Sequence, residues 1–150
     1  MKIAFLSGKG GTGKTLVAVN LARAARRCLY ADCDVEEPNG HLFLEPASPA
    51  RCEVTVFVPV IDPEKCLGCR VCVRFCRFGA LAFVNGKPLL TQPVCHACGG
   101  CAHLCPAGAI AERPRAIGVI ERGFSGEIDV LTGMLNPGEV SGVPIIRELL

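Results

Sequence analysis

The chain has 150 residues, of which 50% are hydrophobic and 20% charged, with a formal net charge of +2. This composition supplies a packed core and fits one domain, or one domain with a small insert. Met1 leads directly into an apolar stretch with no basic region or cleavage site, so no signal peptide is predicted. The longest apolar run, residues 54–61, contains Pro59 and is far shorter than the roughly 18 residues of a membrane span. We therefore expect a soluble, cytoplasmic protein with no membrane partner.

An apolar run precedes a glycine-rich motif at the start of the chain. Residues 2–7 (Lys-Ile-Ala-Phe-Leu-Ser) predict a buried parallel strand. The next eight residues match G-x-x-x-x-G-K-[ST], the phosphate-binding loop: Gly8, Lys9, Gly10, Gly11, Thr12, Gly13, Lys14 and Thr15. In such a loop backbone N–H groups point at the phosphates, Lys14 reaches the β- and γ-phosphates, and the Thr15 hydroxyl ligates Mg²⁺. A helix predicted at 14–27 adds its N-terminal dipole to this anion site. We therefore predict nucleotide binding, the alternative being a glycine-rich turn that happens to contain lysine.

Lys9 makes the motif more specific. The pattern Lys-Gly-Gly-x-Gly-Lys-Thr resembles the deviant Walker A motif of the MinD, ParA, Mrp and nitrogenase iron protein superfamily. The resemblance implies a P-loop domain that binds ATP and Mg²⁺. It also implies that Lys9 reaches across a dimer interface to the partner's nucleotide, so the nucleotide-bound form is a homodimer. The alternative for Lys9 is a solvated loop side chain.

Residues 28–31 predict a second strand, which is followed by Asp32 and Asp34. Carboxylates just beyond a parallel strand face the ligand crevice. The segment resembles the superfamily's switch I region, which implies that Asp32 lies near Mg²⁺ and that Asp34 positions the attacking water. With Lys9 and Lys14, Asp34 completes the candidate catalytic set; the alternative is two aspartates that cap a strand–loop junction. We assign no chemistry to the three isolated cysteines, which as single residues are expected to be small buried hydrophobes: Cys28, Cys33 and Cys52.

A strand predicted at 54–60 ends at a domain boundary near residue 60, and eight cysteines in two matching runs follow. The first cysteine run is Cys66-x-x-Cys69-x-x-Cys72-x-x-x-Cys76, and the second cysteine run is Cys95-x-x-Cys98-x-x-Cys101-x-x-x-Cys105. Cysteines at every third residue let one short loop wrap three corners of an iron–sulfur cube. The alternatives fit less well, because disulfides belong to oxidising compartments and zinc sites use two pairs of ligands.

The two runs resemble bacterial-type ferredoxins with two [4Fe–4S] clusters. In that family the fourth cysteine of each run ligates the other cluster. The resemblance therefore assigns four cysteines to one cluster (Cys66, Cys69, Cys72 and Cys105) and four to the other (Cys95, Cys98, Cys101 and Cys76). Arg77 stands where the family usually has proline, which removes no ligand. Each oxidised cluster with its thiolates carries a charge of about −2, so the loaded chain is mildly acidic and nucleic-acid binding has no electrostatic support.

Other residues of this insert predict a hairpin turn and side chains that could alter the reduction potential of a cluster. Asn85-Gly86 between two apolar runs predicts a β-hairpin that separates the cysteine runs. Three arginines near the first run are candidates to raise a cluster potential or dock an acidic partner, unless they form a solvated helix face: Arg70, Arg74 and Arg77. His96 is a candidate hydrogen-bond donor to a cluster sulfur, or an exposed imidazole without a role.

The tail predicts strands at 116–121 and 124–131 around Gly123, then a helix at 143–150. It resembles the return of Mrp/MinD-type ATPases into their main sheet after a ferredoxin insertion. The superfamily's switch II and base-binding segments do not appear, so we expect the N-terminal portion of a longer protein, or one of two pairing chains.

The predicted organisation is a P-loop domain at 1–60, a ferredoxin insert at 61–113, and a return to the P-loop domain at 114–150. The fold class is therefore α/β, a partial P-loop parallel sheet with an inserted α+β ferredoxin-like domain that holds two clusters. The predicted function is nucleotide-gated electron transfer through two [4Fe–4S] clusters to a redox partner protein. The alternatives are a carrier or scaffold for iron–sulfur cluster assembly, and a simple ferredoxin-like electron carrier with an incomplete ATPase domain. Whether the chain hydrolyses ATP is left open.

Overall fold

A computed structural model describes residues 1–150, which form five α-helices and six strands. In chain order these are α1 (Lys14–Ala25), β1 (Cys28–Asp32), α2 (Gly40–Leu44), β2 (Ala47–Ile61), α3 (Val71–Phe75), β3 (Leu81–Val84), β4 (Lys87–Leu90), a 3₁₀ turn (Gln92–Val94), α4 (Gly100–His103), β5 (Ile110–Ser125), β6 (Ile128–Leu135) and α5 (Val143–Leu149). The chain divides into two compact units. The first unit comprises Met1–Val54, Gly118–Leu135 and Val143–Leu150, and the second unit comprises Thr55–Ile117 and Asn136–Gly142.

The sheet has the strand order β1-β6-β5-β2 and is mixed. Strand β1 pairs in parallel with β6, from Cys28 opposite Ile128 to Asp32 opposite Thr132. Strand β6 pairs antiparallel with β5, because the two residues between Ser125 and Ile128 are too few for the crossover that a parallel pair requires. The predicted α/β class is confirmed, whereas the sheet is not parallel throughout.

The core of the first unit forms where α1 packs on the sheet. Val19 and Ala22 are buried on α1 and contact apolar residues of β1, α2 and β6: Tyr30, Leu44, Ile128 and Val130. Val19 and Ala22 lie three positions apart, which places both on one helix face. The predicted helix at 14–27 is therefore present but ends at Ala25, and Arg26 adopts a positive φ of 59°.

Two expectations about the first unit are wrong. Residues 2–7 form no strand, and Ile3 and Leu6 are 52% and 91% exposed. An apolar run becomes a buried strand only beside a strand that accepts its hydrogen bonds, and neither sheet places one there. The turn between the last two strands lies at Gly126 rather than Gly123, which is inside β5. Gly123 instead provides room for Pro46, whose Cβ lies 2.9 Å from where a Cβ on Gly123 would stand.

The second unit is built on the hairpin and two short helices. Strands β3 and β4 pair antiparallel with Val84 opposite Lys87. Asn85 and Gly86 have φ of 48° and 81°, the positive values of a two-residue hairpin turn, so the predicted hairpin is confirmed. A buried cluster joins α3, α4, β3 and β5 through four side chains: Cys72, Leu81, Cys101 and Ile110.

The helices are short throughout the molecule. The longest, α1, has 12 residues, and none has the length and apolar character of a membrane span.

Candidate functional site

The glycine-rich loop lies directly before α1. Gly11 and Gly13 have φ of 71° and 87°, a left-handed conformation that favours glycine, and Gly13 caps the helix that begins at Lys14. A Cβ at Gly8, Gly10, Gly11 or Gly13 would meet no atom within 4 Å, so the loop is open. The N-terminus of this 12-residue helix supplies backbone donors and the positive end of its dipole. The arrangement is suited to bind phosphate.

The side chains of the loop hydrogen-bond to one another. The Lys14 Nζ donates to the Ser7 hydroxyl over 3.0 Å, and that hydroxyl donates to the Lys9 carbonyl over 2.8 Å. The Thr12 hydroxyl is 3.5 Å from the same carbonyl. Lys9 itself is exposed and Thr15 is half-buried in the first turn of α1. Ser7, which the sequence interpretation placed at the end of a strand, thus holds the ammonium group beside the loop.

Asp32 and Asp34 differ in their surroundings. Asp32 is 6% exposed, and its two carboxylate oxygens accept backbone N–H groups of Asp34, Asn39 and Gly40 at 3.2, 3.3 and 2.9 Å. Asp34 is exposed. Asp32 therefore organises the loop that carries Asp34, a contribution that the sequence did not predict.

Tyr30 is buried in the same part of the first unit. Burial raises the pKa of the Tyr30 hydroxyl well above its usual range, and the charge and hydrogen bond of Asp32 raise it further. Gly40 makes room for this ring, because a Cβ there would lie 2.2 Å from the Tyr30 hydroxyl oxygen. Neither residue belongs to a recognised motif, so sequence inspection had no signal for them.

The two cysteine runs share one backbone conformation. Positive φ angles occur at Gly68, Arg70 and Gly79, and again 29 positions later at Ala97, Gly99 and Gly108. A backbone hydrogen bond just after the fourth cysteine is also the same in both runs. The Gly79 N–H donates to the Cys76 carbonyl, and the Gly108 N–H donates to the Cys105 carbonyl. Alternating right- and left-handed residues turn successive N–H groups to one side, the geometry of anion and iron–sulfur sites.

The exposure of the cysteines repeats in the same order. In each run the first and fourth cysteines are half-buried, the second is exposed and the third is buried. None of the eleven cysteines forms a disulfide. The two runs are thus structural copies as well as sequence copies.

One cavity brings together four cysteines that belong to both runs. Cys66, Cys69, Cys72 and Cys105 line a cavity that is open to solvent. The Ala109 N–H donates to the Cys105 sulfur over 3.3 Å, the kind of bond that stabilises a thiolate. The donor set of four sulfurs fits an iron–sulfur cube. No three histidine, cysteine, aspartate or glutamate side chains are placed to hold a single metal ion. The ligands of a single ion must converge on one point, whereas the four ligands of a cube bind at separate corners.

The cysteines of the second run also lie near one another. Burial raises the pKa of the Cys101 thiol to about 11, and the neighbouring Cys95 and Cys98 add to this rise. Burial likewise raises the pKa of the Cys72 thiol, with Cys66 and Cys69 contributing. Cys76 packs against the buried cluster that contains Cys72 and Cys101. Thiols that are crowded and reluctant to ionise become stable thiolates when a cation binds them.

The side chains around the two runs differ. Beside the first run, the Lys87 ammonium donates to the carbonyls of Pro63 and Cys66 over 2.8 and 2.7 Å. Arg70 lies over the Phe83 ring at 4.2 Å.

The second run has other neighbours. His96 stacks on Phe78 with ring centroids 3.8 Å apart. Arg115 and Glu139 form a largely buried ion pair within the second unit, which sequence inspection missed because 24 residues separate them.

The fold and the site together define a nucleotide-binding α/β protein with two cysteine runs. Residues 3–135 match the family of CobQ/CobB/MinD/ParA nucleotide-binding domains, and the chain belongs to this family. The resemblance to MinD and ParA is therefore confirmed.

Two relatives match nearly the whole chain, and a third matches only part of it. The uncharacterized protein MJ0578 of Methanocaldococcus jannaschii is 32% identical over 154 residues, which cover 99% of this chain and 53% of that protein. MJ0579 of the same organism is 31% identical over 159 residues, which cover 99% of this chain and 54% of that protein. The chain spans about half the length of these two relatives. A third, the uncharacterized ferredoxin MJ0722, is 40% identical over 55 residues, which cover 34% of this chain and 71% of the ferredoxin. Part of the chain is thus related to ferredoxins.

Proposed function

We propose that this chain is the nucleotide- and cluster-binding portion of an ATP-binding iron–sulfur protein, in which ATP gates electron transfer through two [4Fe–4S] clusters. Residues 1–60 and 114–150 form the P-loop part, and residues 61–113 form a ferredoxin-like insert. The electrons pass to or from a redox partner protein. The proposed location is the cytoplasm, where the eleven free cysteines stay reduced.

The observation that carries the proposal is the cavity shared by the two runs. Three cysteines of the first run line it with Cys105 of the second, as crossed ligation in two-cluster ferredoxins requires. We assign one cluster to these four cysteines, and the other to Cys76 with the first three cysteines of the second run. Bound clusters supply one-electron chemistry, while this chain's residues fix their ligation, burial and hydrogen bonding.

The nucleotide site is proposed at the loop before α1. Its backbone donors and Lys14 are suited to hold the phosphates, and the Thr15 hydroxyl is the proposed ligand of Mg²⁺. Asp34 is the proposed residue that positions water, held by the loop that Asp32 anchors. Lys9, which is exposed, is proposed to contact the nucleotide of a second copy in a homodimer. Phosphoryl transfer depends mainly on such positioning and charge neutralisation.

The test begins with anaerobically reconstituted protein. We expect about eight irons and eight sulfides per chain, and Mg²⁺-dependent ATP binding by calorimetry. Lys14→Ala removes a charged contact to the phosphates and is expected to weaken ATP binding about tenfold or more, with the iron content unchanged. Arg147→Ala, an exposed change in α5, is the matched control and should bind ATP as the unchanged chain does.

Gating is tested separately from binding. If ATP gates electron transfer, adding Mg²⁺-ATP shifts the midpoint potential of at least one cluster, and Lys14→Ala abolishes that shift. ATP binding with no change in either potential or in electron-transfer rate would contradict gating but not the nucleotide site.

A second candidate function is a ferredoxin-like electron carrier that does not use nucleotide. The similarity to a ferredoxin over 71% of that protein's length favours it. Eight irons together with no ATP binding would support this function. An absence of iron and acid-labile sulfide would contradict both candidates.

A further inference from the structure

Charge is distributed unequally between the two cysteine runs. Residues 63–91, which contain the first run and the hairpin, include five lysines and arginines and one acidic residue, a net charge of +4. Residues 92–112, which contain the second run, include no lysine or arginine and one acidic residue, Glu112. A cluster with its thiolates adds a charge of about −2 to either run. The first run therefore stays positive when it holds a cluster, whereas the second run becomes more negative.

Two of the cations contact the backbone of the first run directly. The Lys87 ammonium donates a hydrogen bond to the Cys66 carbonyl over 2.7 Å. An NH₂ group of the Arg74 guanidinium donates to the Cys69 carbonyl over 3.4 Å. These bonds hold both positive charges beside residues that we assign as cluster ligands.

The cations of the first run face solvent without a carboxylate partner. Arg70 lies over the Phe83 ring at 4.2 Å, a contact that leaves its charge in place. The four ion pairs of the chain involve other residues, so these charges act on any molecule that approaches. We call the four exposed side chains the basic patch: Arg70, Arg74, Arg77 and Lys87.

The basic patch borders the open cavity of the first run. Arg70 lines that cavity together with Cys69, which is exposed, and with Leu67, which is 76% exposed. An exposed apolar side chain within a charged rim is typical of the small, short-lived interfaces of electron-transfer proteins. The opening also lets the cofactor of a partner approach the cluster site closely.

We propose that the basic patch docks the redox partner, and that this partner is a protein with an acidic surface around its own cofactor. The inference rests on the proposed function, because the patch has this role only if the first run holds a cluster. Each encounter moves one electron, so that the cluster is oxidised and the partner's cofactor is reduced, or the reverse. Opposite charges speed such encounters, and a small interface still lets the two proteins separate.

The experiment measures how fast the reconstituted, chemically reduced protein is oxidised by two small complexes of opposite charge in a stopped-flow spectrophotometer. The anion tris(oxalato)cobaltate(III) and the cation hexaamminecobalt(III) each accept one electron. Chains with Cys69→Ala or Cys98→Ala, each expected to lose one cluster, assign the rates to the two runs. At the first-run cluster, added salt should slow oxidation by the anion and speed oxidation by the cation. The second-run cluster should show the reverse.

Arg77→Glu tests the patch with little disturbance of the fold, because Arg77 is exposed and forms no ion pair. At low salt this change should slow oxidation by the anion about fivefold and speed oxidation by the cation. Arg77→Gln, which removes one charge instead of reversing it, should fall between. The matched control is Arg147→Glu, the same charge change in α5 of the first unit, and it should alter both rates less. Structural damage would move the two rates in the same direction.

Transfer of electrons to an acidic flavodoxin tests the class of partner. We expect Arg77→Glu to slow this transfer at low salt, Arg147→Glu to slow it less, and high salt to remove the difference. A preference for the anionic complex without Arg77-dependent transfer to flavodoxin would overturn the protein partner. Binding of a short single-stranded oligonucleotide that Arg77→Glu weakens would assign the patch to nucleic acid and would also overturn the inference.

The outcomes distinguish this inference from the proposed function. A chain that binds no iron would overturn both. Two bound clusters whose rates with the anion and the cation respond alike to salt, or alike to Arg77→Glu, would overturn the docking surface alone.

Discussion

The two cysteine runs have the same backbone but different surroundings. Residues with positive φ occur at equivalent positions, but a position that is glycine in one run is another residue in the other run. Gly68 and Arg70 in the first run correspond to Ala97 and Gly99 in the second. The position of Val71 is taken by Gly100, against which the Phe75 ring packs. The cysteine spacing thus determines the backbone conformation of each run. The residues between the cysteines differ from one run to the other, because different side chains pack against them.

The difference has consequences for chemistry as well as packing. The first run is bordered by the Lys87 ammonium, which donates to the carbonyls of Cys66 and of Pro63 just before the run, and by an open cavity. The second run contains His96, whose ring stacks on that of Phe78. Two sites of one ligation pattern are therefore expected to differ in potential, because hydrogen bonds, charge and solvent exposure tune iron–sulfur centres.

The largest expected effect tests whether the runs exchange their fourth ligand. Cys105→Ala should remove the cluster held by the first run and lower the iron content from about eight to about four per chain. The cluster that remains should have the spectrum and potential of the one that remains in Cys69→Ala. If Cys105→Ala instead resembles Cys98→Ala, each run holds its own cluster and crossed ligation is wrong.

A smaller effect is expected where α3 and α4 pack together. A Cβ at Gly100 would lie 2.1 Å from the Phe75 ring, so Gly100→Val, which copies the first run, forces the helices apart. We expect a loss of about 1–3 kcal/mol in the free energy of unfolding, measured by urea denaturation followed by circular dichroism.

The reciprocal change is the control. Val71→Gly, which copies the second run, should cost only about 1 kcal/mol, the helix-propensity cost of glycine. Equal losses in the two variants would show that the helix contact does not distinguish the runs.

Substituting glycines that have positive φ should destabilise the chain by an amount that depends on the atoms nearest to the new Cβ. Gly68→Ala and Gly99→Ala each place a side chain at positive φ, at a cost of about 1–2 kcal/mol. Gly68→Ala should cost more, because its Cβ would lie 3.0 Å from the Gly86 carbonyl oxygen, whereas at Gly99 the nearest atom is a flexible Glu112 carboxylate oxygen at 3.4 Å. Ala97→Gly, which relieves a positive φ, should stabilise the chain. A greater loss at Gly99 would contradict this ranking.

The smallest expected effect is a pH dependence of the metal-free chain. The pKa of the folded Cys101 thiol is raised from 9.0 to about 11, so the folded state holds this proton more tightly than the unfolded state. Its stabilisation is complete below about pH 9 and is lost as the pH rises toward 11. Denaturation midpoints between pH 8 and 11 measure the slope.

Two comparisons sharpen the interpretation of that slope. Cys101→Ala should flatten it, and cluster loading should abolish it, because ligated thiolates no longer titrate. A slope that persists unchanged in Cys101→Ala would assign the titration to other groups.

The sequence by itself determined the features that depend on short spacings. Asn85-Gly86 predicted the hairpin because its two residues alone supply the positive φ angles of the turn. The glycine-rich motif predicted an open loop before a helix, and the 29-residue repeat predicted two equivalent cysteine loops. The assignments of Lys9, Asp34 and the cluster ligands remain predictions that the experiments above test.

The tertiary structure decided the features that depend on which neighbour is present. Residues 2–7 have the apolar composition of a strand but remain unpaired, because hydrogen-bonded pairing needs an adjacent strand. Asp32 could be recognised as a carboxylate after a strand, but only folding brings three N–H groups to it. The Arg115–Glu139 pair and the Gly100–Phe75 contact likewise join residues that no local pattern relates. Spacing along the chain fixes local backbone geometry, whereas burial and pairing are set by contacts between residues distant in sequence.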